Sequence, residues 1–504
     1  MDTATPTPPS FGEENFGAAQ LRHRRRSQRL AQLADLLLQH PRGTLPEKLS
    51  HPKDLKAFYR LMATPVVTHD TVFDPHRALT RRRMDQAGGP ILLLHDGTEL
   101  DFSGLSLPDL GQLGNGNTRG LLCHNCLAVQ AEGRRVLGLL HQTLYRRPHV
   151  PAQESRTDRR ARQDRESRLW QQACEAIGPA PAGRRHVDIC DRGADLFEFL
   201  EFEHRHGRSY VVRATHDRAL TVEDEGTLEV LGYEGPHPGQ LFGLARSLPE
   251  WGRKEVAVPA RPGQPARTAV VRLAAAPVRL HAPKNARGEH GQEPLPVWVV
   301  YAGEVDPPAG RQPVEWVLLT DVPVRTYEDL VERVGWYEAR WLVEELHKGQ
   351  KTGCDLEKLQ LGKRNHDERG RPYKNRLEPA IALLSVVAVQ LLILRQRTRE
   401  ESAAGQPATE WFEREEVAVL AGWRYGDATR PLTVREFGLA LARLGGHQNR
   451  TGDGPPGWQT LWRGWEKLQL MVLGARLAGG AGRPARSEGG EAAGGGQQEG
   501  EDTS

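Results

Sequence analysis

The longest apolar run in the chain, Ala380 to Leu394, constrains the fold most. It is shorter than the roughly 20 residues needed to cross a bilayer, and Ser385 and Gln390 interrupt it, so it is expected to form a helix buried inside a protein core. The 504 residues leave room for two to four domains at roughly 100 to 200 residues each, any of which could bury such a helix. Hydrophobic residues at 38% and charged residues at 26% fit a soluble, globular chain with no membrane partner. The first ten residues are rich in Pro and Thr, with no apolar stretch behind a basic start, so the cytoplasm is the expected compartment. Five scattered cysteines cannot make a disulfide framework. Cys123 and Cys126 have a metal-ligand spacing but no second ligand pair nearby, so two small buried thiols are expected.

Charge is uneven. Between Gln20 and Met84 there are 14 Lys and Arg against 5 Asp and Glu, although the whole chain carries only +3. The clusters Arg22, Arg24, Arg25, Arg26, Arg29 and Arg81, Arg82, Arg83 are dense enough for phosphate contacts; a solvated helix face is the alternative. Apolar periodicity predicts a loose leader over 1–15 and a small, helical, basic domain over 16–88. Short apolar runs at 90–96, 120–130, 133–144 and 186–191 read as buried strands, with helix over 194–203, which together indicate a mixed α/β core across 89–209. Strand-like pieces among Pro- and Gly-rich loops make 210–322 a β-rich insertion. Helix returns over 323–400 and 401–477, and the Gly-, Ala- and Glu-rich tail 478–504 is expected to be disordered.

Asp96 is expected to close one apolar strand and Asp191 another. Two strand-end carboxylates can hold hard divalent cations such as Mg²⁺, although an Asp after a strand is more often a turn residue. Farther along, Tyr337, Arg340, Glu344 and Lys351 stand at i, i+3, i+7 and i+14, offsets that return to one face of a single helix. Such a stripe offers a carboxylate ligand beside groups that clamp phosphates; a face laced with salt bridges is the alternative.

The pattern Tyr337-x2-Arg340-x3-Glu344-x6-Lys351 resembles the Y-R-E-K signature of bacterial DDE transposases of insertion-sequence family four, the Tn-five-like cut-and-paste enzymes. His347-Lys348-x2-Lys351-Thr352-Gly353, Cys190-Asp191-Arg192-x-Ala194-Asp195, Gly138-Leu139-Leu140-His141-Gln142 and Ala57-Phe58-Tyr59-Arg60 are also similar to that family. So are Ala442-Arg443-Leu444-Gly445-Gly446 and Trp462-Arg463-Gly464-Trp465, and the similarity runs in order over about 16–477. It implies an RNase H-like α/β catalytic core with a β-rich insertion, flanked by a helical N-terminal domain that recognises transposon ends and a helical C-terminal dimerisation domain. It implies Asp96, Asp191 and Glu344 as the catalytic, metal-binding triad, with two Mg²⁺ ions that Mn²⁺ can replace. It further implies DNA contacts by Tyr337, Arg340, Lys351 and Lys348, a base-stabilising Trp316, and a phosphate contact at Arg213; a buried strand aromatic and a structural arginine are the alternatives for the last two. Arg24, Arg25, Arg26, Tyr59 and Arg60 are the candidate end-binding residues.

The expected activity is metal-dependent cleavage at transposon ends, through a hairpin intermediate, followed by strand transfer into target DNA. The expected partners are double-stranded DNA, as inverted-repeat ends and as target, and a second copy of the chain in a synaptic complex at the bacterial nucleoid. A metal-dependent nuclease without strand transfer and an inactive, end-binding remnant are the alternatives. Asp188 and Asp195 flank Asp191, and Glu345 follows Glu344, so the choice among neighbouring acids is open; strand alternation turns Asp188 away from Asp191.

Overall fold

The fold is described from a computed structural model, for residues 9–105, 107, 110–114, 116–148, 153–155, 158, 162–258, 265–284, 290–361, 376–398, 401–450 and 456–481. Most of the tail expected at 478–504 lies outside these residues, as do residues 362–375. The chain divides into a unit over Met1–Arg399 and a second over Glu400–Ser504.

The first unit opens with α1 (Phe11–Phe16), α2 (Arg24–Gln39), α3 (Leu45–Lys48), α4 (Pro52–Met62) and α5 (His69–Gln86). Helix α1 falls in the stretch expected to be a loose leader. Ser10 caps its start, Asp35 of α2 accepts from the Gly12 amide at 2.7 Å, and Phe16 is fully buried, so these contacts order it.

One sheet of twelve strands follows: β1 (Ile91–Asp101), β2 (Gly111–Gln112), β3 (Arg119–Gln130), β4 (Val136–Tyr145), β5 (His186–Cys190), β6 (Ser209–Arg213), β7 (Ala219–Val222), β8 (His237–Gln240), β9 (Gly252–Val258), β10 (Arg267–Leu280), β11 (Leu295–Glu304) and β12 (Glu315–Thr320). Its order is β2-β3-β1-β5-β6-β12-β11-β10-β7-β8, with β4 on β3 and β9 on β10. Strands β4, β3 and β1 pair antiparallel, and β5 and β6 extend them in parallel. The β-rich region is not a separate sheet, because β12 returns antiparallel onto β6 and continues the same hydrogen-bonded surface. It also contains two helices that the strand pattern concealed, at 225–231 and 241–247.

The helices from the sheet onward are α6 (Leu169–Ile177), α7 (Phe197–Arg205), α8 (Glu225–Leu231), α9 (Leu241–Ser247), α10 (Tyr327–Glu338), α11 (Trp341–Lys348) and α12 (Leu377–Arg397). The apolar run is indeed a helix, α12, long and apolar enough to span a membrane by composition, yet fourteen of its 21 residues are buried in the core. It packs on α5, β4 and α2, which explains why it is apolar around its circumference.

The second unit contains α13 (Arg414–Tyr425), α14 (Val434–Leu444) and α15 (Trp458–Ala481), the last running into the stretch expected to be disordered. Helices α14 and α15 touch through glycines. A Cβ on Gly464 would fall 1.9 Å from the Leu441 carbonyl oxygen, and one on Gly445 1.7 Å from that of Thr460. Backbone cannot retreat as a side chain can, so Gly464→Ala is expected to separate the helices at a cost of about 1–3 kcal/mol. Limited proteolysis should then cut the second unit faster than in the wild type while leaving the first unit intact; equal cutting rates would contradict this packing.

Candidate active site

Strand β1 runs five residues past Asp96, so this carboxylate projects from mid-strand rather than from a strand end. The apolar run stops at Leu94, but β1 goes on pairing with β3 to Asp101, where backbone hydrogen bonds no longer need apolar side chains. Asp191 does follow its strand directly. It begins a short turn in which its Oδ1 accepts from the Gly193 amide at 2.9 Å. Position 193 must be Gly: a Cβ there would lie 2.6 Å from the ring of Trp170, which covers the turn.

The Tyr337–Lys351 segment is not one helix. At Ala339 and Arg340 the amides of Arg340, Leu342 and Val343 bond three residues back, which tightens the chain and separates α10 from α11. After Lys348 a π turn over Gly349–Gly353 widens it again. The constant 100° step therefore fails, and the four side chains do not form one stripe. Tyr337 ends up buried, its ring edge-on to Trp316 at 5.3 Å, with Arg213 near enough to interact with it electrostatically. Arg213 also donates to the Glu315 carbonyl at 2.9 Å, so both residues are internally engaged. Lys351 pairs with Glu357 at 3.3 Å, and Glu357 in turn accepts from the Asp101 amide at the end of β1.

Arg340 sits at the break and joins the first and third acids. Its guanidinium donates to Asp96 Oδ2 at 3.0 Å and to Glu344 Oε1. Asp96 Oδ1 accepts from the Gly97 amide at 2.9 Å. Burial pushes the Asp96 carboxyl up from 3.8 to about 6; Arg340 and Gly97 oppose the shift, while Asp191 and Glu344 add to it. Three carboxylates thus share one neighbourhood with more negative charge than a single guanidinium balances. Such a group suits divalent cations, and a bound cation would compete with Arg340 for Asp96 and Glu344.

The neighbouring acids are engaged elsewhere. Asp188 is fully buried, accepting from Arg208 at 2.7 and 3.1 Å and lying 2.9 Å from His95 Nε2. Asp195 is held by Arg218 and by the Thr215 and His216 amides. Glu345 is held by Lys348 and Arg395, whereas Glu344 is about half-exposed. Lys348 therefore contacts an acid of its own helix. Among the described residues, the three donor atoms lying within 4.8 Å of one another belong to His95, Cys174 and Asp188, but the Arg208 guanidinium already neutralises that buried carboxylate. Cys123 and Cys126 are free, buried thiols; three residues apart on β3, they face opposite sides of the sheet.

In the N-terminal helices, Arg24 and Arg25 are exposed at the first turn of α2 with no partner among the described residues, and Arg26 bonds the Leu21 carbonyl. Tyr59 and Arg60 lie on α4, with Arg60 exposed. Arg81 and Arg83 are used internally, donating to the carbonyls of Ile177 and Leu137, so of that basic cluster Arg82 is left outward. Arg192 was given no role by the sequence reading. It is exposed beside Asp191, has no partner among the described residues, and acts electrostatically on Arg213. Its position directly after the second acid was the available signal.

Residues 9–67 match the family model described as Transposase DNA-binding. The chain is also similar to one in the cryo-EM structure of a piggyBac transposase synaptic complex with hairpin DNA, at 9% identity and a TM-score of 0.29. That match covers 82% of this chain and 59% of the other. A likeness that weak carries no argument about fold or chemistry here.

Asp96 has a raised carboxyl pKa, so its burial costs stability in full above about pH 6, and that cost shrinks as pH falls from 6 toward the ordinary value of 3.8. Asp96→Asn is therefore expected to raise the Tm of metal-free protein at pH 8 by roughly 1–4 °C, with a smaller gain at pH 5. A lowered Tm at pH 8 would contradict a cost of burying the ionised carboxylate.

Proposed function

We propose that the chain is a cut-and-paste DNA transposase of the DDE class, similar to insertion-sequence family four, with an RNase H-like core. The observation that carries this reading is Arg340 bonded to both Asp96 and Glu344, with Asp191 near enough to act electrostatically on Asp96. The match of residues 9–67 to a transposase DNA-binding family supplies the substrate class. The antiparallel β4-β3-β1 followed by parallel β5 and β6 supports the core assignment, since an RNase H-like sheet takes this order.

In this reading Asp96, Asp191 and Glu344 are the catalytic residues and hold two Mg²⁺ ions, or Mn²⁺ in their place. Such ions supply a water deprotonated near neutral pH and charge relief at the attacking and leaving oxygens. The protein's own groups bind and orient the DNA. Arg24 and Arg25 at the start of α2, with Arg26, Tyr59 and Arg60, grip the transposon end through its phosphates. Arg192, Arg340, Lys348 and Lys351 draw the scissile phosphate toward the acids, and Arg340 would be free to contact that phosphate once its carboxylates held cations. Tyr337 acts from beneath by packing edge-on against Trp316, and Arg213 by holding the neighbouring Glu315 carbonyl, so that the Trp316 ring stabilises an unstacked base. A first cut frees a 3′-hydroxyl, which attacks the opposite strand to form a hairpin. After the hairpin opens, the 3′-hydroxyls attack target DNA, each new phosphodiester replacing one that breaks. The second unit serves pairing of two copies: Leu470, Leu473 and Leu477 recur at helical spacing and are exposed along α15.

Glu344→Gln is expected to abolish Mg²⁺-dependent cleavage of a labelled end duplex while keeping end affinity within a few-fold. Cleavage at the wild-type rate would refute the assignment. Joining of pre-cut ends to a plasmid by the wild type separates a transposase from a nuclease, which would cut without joining, and from a remnant, which would only bind. The double substitution Arg24→Ala and Arg25→Ala should make the slope of log affinity against log salt shallower by about 1–2; an unchanged slope would remove α2 from the DNA interface.

A further inference from the structure

A closed ring of buried polar side chains lies alongside the three acids. Register places Asp96 of β1 opposite Asn125 of β3, and Asn125 opposite Gln142 of β4, so the three side chains leave the same face of the sheet in a row. Above that row lie Gln350, in the π turn between Glu344 and the end of the Lys351 segment, and Ser385, in the middle of α12. Asn125 Nδ2 donates to Gln350 Oε1 at 3.1 Å, and Gln350 Nε2 donates to Ser385 Oγ at 2.8 Å. Gln142 Nε2 closes the ring, donating to Ser385 Oγ at 3.0 Å and to Asn125 Oδ1 at 2.8 Å. All four are at most 3% exposed. His69, the first residue of α5, reaches in from the N-terminal helices, with Nε2 3.0 Å from Gln142 Oε1.

Polar groups this deep must be paired, and here each is paired to a different element of the first unit. An apolar core would tolerate sliding between β3, α12 and the π turn. A ring of directional bonds does not. The π turn adds a residue to the helical path, which is what carries Gln350 inward while Lys351 stays at the surface.

We propose that Gln350, with Asn125, Gln142 and Ser385, is a positioning residue that locks the Glu344–Lys351 segment to the strand row beginning at Asp96. The ring thereby sets the separation of the first and third acids, and so the affinity of the site for its cations. It acts through those acids, and none of its members touches DNA or the reacting atoms. This inference rests on the functional reading above, in which the acids hold divalent ions.

The test is Mn²⁺ binding to full-length, DNA-free protein by electron paramagnetic resonance, compared among wild type, Glu344→Gln, Gln350→Met and Ser385→Ala. Methionine keeps the length of Gln350 and removes both polar atoms; Ser385→Ala is a smaller change, kept in case the first variant does not fold. Folded Gln350→Met is expected to bind Mn²⁺ about tenfold more weakly, and Ser385→Ala several-fold more weakly. Both should bind end DNA as the wild type does and require more Mg²⁺ for half-maximal cleavage. Wild-type Mn²⁺ affinity in the folded variants, with only the Tm lowered, would make the ring merely structural and overturn the proposal. If wild type and Glu344→Gln alike bind no Mn²⁺, the metal-site reading itself fails, and the ring's role with it.

Discussion

The contact of one guanidinium with two carboxylates from distant parts of the chain, Arg340 with Asp96 and Glu344, gives the site its shape. Asp96 is carried by the sheet and Glu344 by a helix more than 240 residues later. Nothing local brings them together. Arg340 occupies the tight turn between two helices, so its side chain leaves the chain where the helical direction changes and can address both acids at once. The same contact keeps a buried carboxylate tolerable without cations, because it offsets part of the burial, and of the weaker repulsion by Asp191 and Glu344, that raise the Asp96 pKa.

The surrounding acids illustrate why charge alone does not define a site. Asp188, Asp195 and Glu345 have the same chemistry as their neighbours, but each is already matched by an arginine. A carboxylate whose lone pairs and charge are satisfied internally has little to offer a cation. The acids left with incomplete compensation are those that the sheet and α11 turn toward one another. In the proposed reading stability and function would pull against each other, since a buried, cation-attracting carboxylate is a burden to the metal-free fold.

Much of this was legible in the sequence. Apolar runs marked β1, β3, β4 and β5 because buried central strands are apolar on both faces, and α12 because a helix enclosed on all sides has no polar face to lose. The residues that come together at the site were also legible, since the Tyr337–Lys351 spacing and the aspartates at 96 and 191 are chemically distinctive. The break at Ala339–Arg340 was not. No Gly or Pro marks it, and it comes from backbone bonds that tighten around a side chain held by a distant strand. The burial of Tyr337 and the polar ring at Gln350 were hidden for the same reason, as both depend on partners far away in sequence. Asp96 was misplaced to a strand end because apolar content stops where burial stops, while strand pairing continues.

Anomalous diffraction from crystals soaked in Mn²⁺ tests the central claim most directly. The account predicts Mn²⁺ peaks bounded by Asp96, Asp191 and Glu344, with the Arg340 guanidinium moved off at least one of its two carboxylates. Peaks at His95, Cys174 and Asp188 instead, or no peak beside the three acids at saturating Mn²⁺, would contradict it.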